Sequence, residues 1–161
     1  MSAEHATPPY RERLWPGPLG WGVVVGFAVF ASIALVPVDL RAAAVAGLVT
    51  LAIGVGAAVA SSPLVQVAGG ELTAGSAHIP VALLGTGRAL DRAGVRLAMG
   101  PGSDARAYVL LRSWLPGAVE IDVVDPADPT PTWLVSSRRP ADLLTAIESA
   151  RTQAAHSEQI G

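Results

Sequence analysis

The stretches LGWGVVVGFAVFASIALV, residues 19–36, and AAAVAGLVTLAIGVGAAVA, residues 42–60, decide the fold of this chain. Neither contains a charged residue. As an α-helix each is about 27–29 Å long, close to the ~30 Å hydrocarbon core of a bilayer. Only the segment PVDLR, residues 37–41, separates them, and Pro37 ends the first helix because it lacks an N–H donor. The two stretches therefore predict an antiparallel pair of transmembrane helices.

Two other kinds of segment also contain long apolar stretches: the buried helices of a soluble bundle and a cleaved signal peptide. Buried helices of a soluble bundle seldom lack a polar face over such a length, and here two of them would do so in tandem. A cleaved signal peptide has a shorter apolar segment behind a basic leader, whereas Glu4 and Glu12 precede this one. We therefore expect a membrane hairpin over residues 19–60.

Aromatic and basic residues precede or open the first helix. Amphipathic rings favour the headgroup level and arginines bind lipid phosphates, so residues 1–18 predict an N-terminal tail with an interfacial anchor. The predicted anchor consists of Tyr10, Arg11, Arg13, Trp15 and Trp21. Arg11 and Arg13 before the helix outnumber Arg41 in the loop. This excess predicts a multi-pass protein of the plasma membrane with both termini in the cytoplasm.

Small residues recur at helical spacing inside both apolar stretches. Gly22 and Gly26 form a Gly-x-x-x-Gly pair, and Gly54 with Ala58 repeats the spacing. Such faces let helix backbones approach closely in lipid. We expect them to pack the hairpin together, with a homo-oligomer through Gly22 and Gly26 as the alternative.

Residues 61–153 have the composition of a globular domain, and their pattern predicts the order β-β-β-α-β-β-β-α. The predicted strands are 64–68, 71–74, 77–81, 107–112, 118–124 and 132–136. A mostly antiparallel sheet covered by helices buries their apolar faces, so we expect a small α+β domain on the cytoplasmic side.

Two helices complete the predicted domain. Leu90, Ala93 and Leu97 share one helical face and predict a helix over residues 88–99. Pro140 suits the first position of the last helix, where a missing N–H costs nothing. The predicted buried face of that helix is Leu143, Leu144, Ile147 and Ala150. Residues 154–161 predict a disordered tail.

Three segments carry a family resemblance: YRERLWP at 10–16, DARAYVL at 104–110, and the stretch 125–140 that ends in WLVSSRRP. Together they resemble an actinobacterial family of two-helix membrane proteins known as a domain of unknown function. The resemblance implies a membrane hairpin followed by a C-terminal domain, and it supplies no activity or catalytic residue. Residues 70–81 resemble the opening hairpin of bacterial pleckstrin-homology-like domains, which implies a PH-like sheet and C-terminal helix.

The composition of the chain excludes some kinds of functional site and disfavours others. The chain has no cysteine, which excludes disulfides and thiolate metal sites, and its net charge of −2 does not favour nucleic acid. His5 and His156 lie near the termini, and His78 has no metal ligand at a suitable spacing. Glu120 and Asp122 share one face of a strand and predict a solvated face rather than a carboxylate pair. We expect no catalytic residue, no metal and no cofactor.

One candidate contact site lies directly before the last helix. It consists of Ser136, Ser137, Arg138 and Arg139. Helix N-termini present free N–H groups, and arginines bind phosphate or carboxylate in a bidentate way, so a lipid headgroup or an acidic partner would suit it. The structural alternative is that Ser137 caps the turn and the arginines pair with residues 125–128.

A second candidate is a basic stripe. Arg88, Arg92 and Arg96 are spaced i, i+4, i+8 on the predicted helix, so they would share one face and could lie on anionic lipid. The alternative is an ordinary solvated face.

These features favour a non-enzymatic membrane-tethered module, an adaptor or scaffold that binds membrane lipids or another membrane or cytoplasmic protein. The alternative function is an accessory subunit or a small membrane enzyme with its site in the soluble domain. Transport is disfavoured because neither helix has an ionisable residue in its interior.

Overall fold

The computed structural model describes residues 10–101 and 103–160, with side chains as far as residue 156. The chain forms two compact units. One is the segment Trp15–Pro63, and the other is built from the chain before and after that segment.

The segment Trp15–Pro63 is a helical hairpin. Helix α1 spans Pro18–Leu35 and helix α2 spans Leu40–Ala60. Asp39 caps α2, because its side chain accepts a hydrogen bond from the Arg41 N–H at 3.0 Å. The predicted hairpin is present, with its turn at the predicted place.

Glycines of α2 let the two helices approach closely. A Cβ atom added at Gly54 would lie 2.7 Å from Val24 Cγ1, and one added at Gly47 would overlap Ser32 Oγ. A Cβ at Gly22 or Gly26 would meet nothing within 4 Å. The expectation that Gly22 and Gly26 pack the hairpin together is therefore wrong, whereas Gly54 does pack against α1.

The outer surface of the hairpin is apolar and open. Only 6% of the α1 span and 17% of the α2 span is buried, although a core helix of a soluble protein would be mostly buried. Large side chains such as Phe30, which is 70% exposed, cover this surface. Both helices are long enough and apolar enough to cross a membrane.

The second unit begins with a four-stranded antiparallel sheet. Its strands are β1 Tyr10–Arg13, β2 Leu64–Ala68, β3 Glu71–Ala74 and β4 Ala77–Pro80, in the order β1-β2-β3-β4. Gly69 and Gly70 have φ values of 61° and 78°, which make the tight turn between β2 and β3. Strands β2, β3 and β4 confirm the prediction.

Strand β1 corrects the prediction of an interfacial tail. Tyr10 pairs with Val67 and Arg13 pairs with Leu64, so this segment belongs to the sheet. Its side chains alternate, with Tyr10 buried inward and Arg11 and Arg13 exposed. A four-residue strand that precedes an apolar helix in the sequence can have the same composition as an interfacial anchor. Only the pairing of this strand with β2 distinguishes the two.

A second four-stranded sheet follows. Its strands are β5 Leu84–Asp91, β6 Tyr108–Leu110, β7 Gly117–Val123 and β8 Thr132–Ser137, in the order β5-β7-β8-β6. Strands β6 and β8 are parallel, and the other pairs are antiparallel. The described strands are mostly antiparallel, as predicted, but they form two sheets rather than the one sheet that the sequence predicted.

The third helix begins later than predicted. Helix α3 spans Arg92–Ala98, and Asp91 caps it by accepting the Gly94 N–H at 2.7 Å. The predicted start at Arg88 is wrong, because Arg88 lies in β5 opposite Glu120 of β7. Sheet pairing overrides the helical spacing of the apolar residues there.

Helix α4 spans Pro140–Ile160 and begins at the predicted proline. It extends beyond residue 154, where the sequence predicted a disordered tail. Leu143 and Ile147 of α4 are fully buried as predicted. Side chains from both sheets and from α4 form one buried cluster.

Candidate functional site

A buried carboxylate lies where β1 meets the end of β8. Glu12 is only 7% exposed. Its Oε2 accepts hydrogen bonds from the Tyr10 hydroxyl at 2.6 Å and the Ser137 hydroxyl at 2.7 Å. Its Oε1 accepts the Arg138 backbone N–H at 3.0 Å and faces the Arg138 guanidinium at 3.4 Å. We call Tyr10, Glu12, Ser137 and Arg138 the Glu12 cluster.

The Glu12 cluster changes the interpretation of the Ser136–Arg139 segment. The anion bound by this segment is the carboxylate of Glu12, from the same chain. Ser136 and Ser137 are buried and therefore inaccessible to a headgroup. The Ser137 Oγ also accepts the Arg139 N–H at 2.9 Å, so the capping role weighed for Ser137 is confirmed.

The arginine partners differ from those weighed in the structural alternative. Arg138 pairs with Glu12, and Arg139 pairs with Asp142 at 3.5 Å while its guanidinium lies 5.5 Å from the Tyr10 ring centre. The expected pairing with residues 125–128 is wrong. Asp125 and Asp128 instead accept backbone N–H groups of their own turn.

Tyr10 acts as a neutral donor in this cluster. Burial raises the pKa of Tyr10 to about 12, and the hydrogen bond to Glu12 raises it as well. A ring buried in the core does not lie at a membrane interface, so Tyr10 as an anchor residue is wrong. Arg11 and Arg13 are exposed, and Trp15 and Trp21 are each at least partly exposed, so their anchoring role stays a prediction.

The predicted basic stripe is divided between two elements. Arg88 lies in β5 and forms an ion pair with Glu120 across the sheet. Arg92 and Arg96 lie in α3, one turn apart. The three arginines therefore do not form one helical face. Glu120, which the sequence predicted on a solvated strand face, is the partner of Arg88, and Ala118 on that face is buried.

Arg92 and Arg96 line a groove of about 560 Å³ together with Arg112 and Trp114. We call it the arginine groove. The Arg112 backbone is fixed because its N–H donates to the Ser136 Oγ at 2.9 Å. The Arg112 guanidinium lies 5.9 Å from the Trp114 ring centre. Helix α3 is held over the sheet by a small apolar cluster, comprising Leu90, Ala118 and Leu134 with Val95, Ala98 and Leu111 packed against them.

No carboxylate lines this groove among the described residues. The ion pairs of the described chain involve Arg88, Arg106, Arg138 and Arg139. The guanidinium groups of the arginine groove thus have no acidic partner in the described part of the chain. Sequence reasoning missed Arg112 and Trp114, because only the pairing of β6 with β8 brings them beside α3.

Comparison with known proteins gives one match. The model of the DUF3093 family, described as a protein of unknown function, matches residues 9–147. The match runs from β1 through the hairpin and both sheets into α4, and the chain belongs to this family. No curated protein and no solved structure matches the chain.

Proposed function

We propose that this DUF3093 protein is a membrane-anchored binding module, an adaptor. Its hairpin would hold the sheet domain, the unit built from the chain before and after the hairpin, at the plasma membrane. The observation that carries this proposal is the place of the hairpin in the chain. The hairpin, Trp15–Pro63, is inserted between β1 and β2, which are paired neighbours in one sheet.

This insertion bears on topology. Because Arg13 pairs with Leu64, the chain leaves the sheet at one strand and returns at the adjacent strand. Two helices joined by a short turn then cross the bilayer twice, and β1 and the rest of the domain lie on the same side. The arginines before α1, Arg11 and Arg13, outnumber Arg41 at the start of α2, which favours the cytoplasmic side.

The Glu12 cluster supports a firm connection on the N-terminal side of the hairpin. A strand as short as β1 has few ladder hydrogen bonds, but the carboxylate of Glu12 adds contacts to Ser137 and Arg138 beside the first turn of α4. Hydrogen bonds to a buried charge are stronger than neutral ones. Strand β1, which precedes the hairpin in the sequence, is therefore held in the domain by its pairing with β2 and by the contacts of Glu12.

The arginine groove supports binding as the role of the domain. Exposed cations without an acidic partner are suited to an anionic lipid or an acidic segment of another protein.

We further propose that the domain is PH-like, supported by its two sheets and C-terminal helix, although the parallel β6–β8 pair departs from an antiparallel barrel. We also propose an actinobacterial source, which the family resemblance implies; the absence of lysine fits a GC-rich bacterial genome.

Alkaline carbonate extraction of membranes tests the anchor. The full chain should stay in the membrane pellet, because about 20 apolar residues per helix are costly to expose to water. The double substitution Phe27→Arg and Leu48→Arg, at two exposed hairpin positions, should release it. The matched control Glu148→Arg and Thr152→Arg should stay in the pellet. Extraction of the unmodified chain would refute the anchor.

A further inference from the structure

We propose that the arginine groove binds a phosphate group that is joined to an apolar or flat group. This inference deepens the binding role proposed above and rests on the domain being a binding module. It does not depend on the hairpin crossing a membrane.

The charges of the groove point to an anion. Arg92, Arg96 and Arg112 converge on one concave surface, and no carboxylate of the described chain lies on it. Like charges held together repel one another, and an anion placed between them removes that repulsion. Asp91, which precedes Arg92 in the sequence, does not line the groove and accepts the Gly94 N–H as the cap of α3.

The donors of the groove favour phosphate over carboxylate. Each guanidinium offers a planar fork of N–H groups that matches two oxygens of an anion. Three such forks exceed what the two oxygens of a carboxylate can accept. A phosphate has more oxygens and more charge, and it can accept from all three guanidinium groups, including the N–H groups of Arg112 other than the one that donates to the Leu111 carbonyl oxygen at 3.4 Å.

The remaining lining indicates what the phosphate carries. Trp114 is 42% exposed at the groove, and Val95 and Leu111 add apolar surface beside it. Inorganic phosphate would leave this apolar surface exposed to water, whereas an aromatic or aliphatic substituent would cover it. The shared ligand chemistry is thus a phosphate ester, and its source is either a phospholipid headgroup or a soluble compound.

A second arginine-bearing groove differs from the arginine groove in its charge balance. It is lined by Arg88 together with Asp104 and Glu120. Arg88 is paired with Glu120, and Asp104 is paired with Arg106. Its charges are already neutralised within the chain, so it supplies a matched control for the arginine groove.

Two binding measurements on the full-length protein test the proposal. The first titrates phenyl phosphate and inorganic phosphate into protein held in phosphatidylcholine nanodiscs, following tryptophan fluorescence with Trp114→Phe as the reference. The second measures phosphatidylglycerol retained by the detergent-solubilised protein in native mass spectrometry. Each is repeated for the double variant Arg96→Gln with Arg112→Gln and for the control Arg88→Gln with Arg106→Gln, which changes the net charge equally.

The proposal expects binding in at least one arm, weakened about tenfold or more by the groove variant and not by the control, because hydrogen bonds to charged groups are lost. Phenyl phosphate should bind at least about tenfold more tightly than inorganic phosphate if the source is soluble. Phosphatidylglycerol retention alone assigns the lipid source. Binding in neither arm, or equal loss in both double variants, overturns the proposal, and carbonate extraction then shows separately whether the anchor stands.

Discussion

Removing the carboxylate of Glu12 should destabilise the sheet domain by about 3 kcal/mol. In Glu12→Ala three donors lose their acceptor, namely the Tyr10 hydroxyl, the Ser137 hydroxyl and the Arg138 N–H. The two hydroxyls are 3.0 Å apart and can pair with each other, so one of them remains satisfied. Each unsatisfied buried donor costs about 1–3 kcal/mol. The Arg138 N–H is only partly buried, so the remaining two donors together should cost about 3 kcal/mol.

Glu12→Gln should cost only about 1 kcal/mol. The amide oxygen can keep the Arg138 N–H, and the amide NH₂ can face the two hydroxyls, which rotate to accept from it. Glu71→Ala is the matched control, because Glu71 is an exposed glutamate in the same sheet, and its effect should stay within about 0.5 kcal/mol.

Urea titration of the full-length protein in non-ionic detergent measures these differences through the buried Trp133 of β8. With a slope of about 2 kcal/mol per molar urea, the midpoint of Glu12→Ala should fall by about 1.5 M. The reasoning is refuted if Glu12→Ala shifts the midpoint no more than Glu71→Ala does. Equal shifts for Glu12→Ala and Glu12→Gln would show that the negative charge, which both variants remove, sets the cost, and not the hydrogen bonds that the amide of Gln can keep.

Three further predictions follow from the fold. Folding raises the pKa of Tyr10 from 10.0 to about 12, so the stability that the neutral hydroxyl contributes is present below pH 10 and is lost as the pH rises toward 12. In urea titrations across this range, the free energy of unfolding of Tyr10→Phe should fall less steeply with pH than that of the unmodified protein. Replacing Trp15–Pro63 by a turn of about four residues should yield a soluble domain in which β1 and β2 still pair. NMR spectra should show amide contacts between the two strands, and their absence would contradict this prediction. Gly47→Val should disturb the helix pair, whereas Gly22→Val should not, as measured by thermal denaturation in detergent followed by circular dichroism.

Local patterns in the sequence sufficed for the elements with clear periodicity. The alternation of Val119, Ile121 and Val123 identified β7, and Pro140 marked the start of α4. The two uncharged stretches identified the hairpin. In each case the residues that define the element lie within a few positions of one another, so no distant contact is needed to recognise it.

Elements defined by distant pairing could not be read in the same way. Strand β1 precedes the hairpin in the sequence and pairs with β2, which follows it. The arginines and the tyrosine of β1 are equally typical of a membrane interface. Strand β5 contains Leu90, whose spacing from Ala93 and Leu97 mimics a helix, and only pairing with β7 makes it extended. Tertiary context overrides local preference at both places.

The candidate site was predictable only in part. The sequence singled out Ser137 and Arg138, but the partner that occupies them is Glu12, on the other side of the hairpin in the chain. It singled out Arg92 and Arg96, but Arg112 joins them through the parallel pairing of β6 with β8. Charge clusters of this kind depend on the fold and have no fixed sequence spacing.

The central claim is that the hairpin crosses the membrane and leaves both of its flanking strands on one side. The chain has no cysteine, so single cysteines report without background. Arg11→Cys lies in β1, Val38→Cys in the exposed turn of the hairpin and Thr152→Cys in α4. With a membrane-impermeant maleimide on intact spheroplasts, Val38→Cys should be labelled, whereas Arg11→Cys and Thr152→Cys should be labelled only after permeabilisation. Different labelling of Arg11→Cys and Thr152→Cys, or identical labelling of all three, would contradict the account.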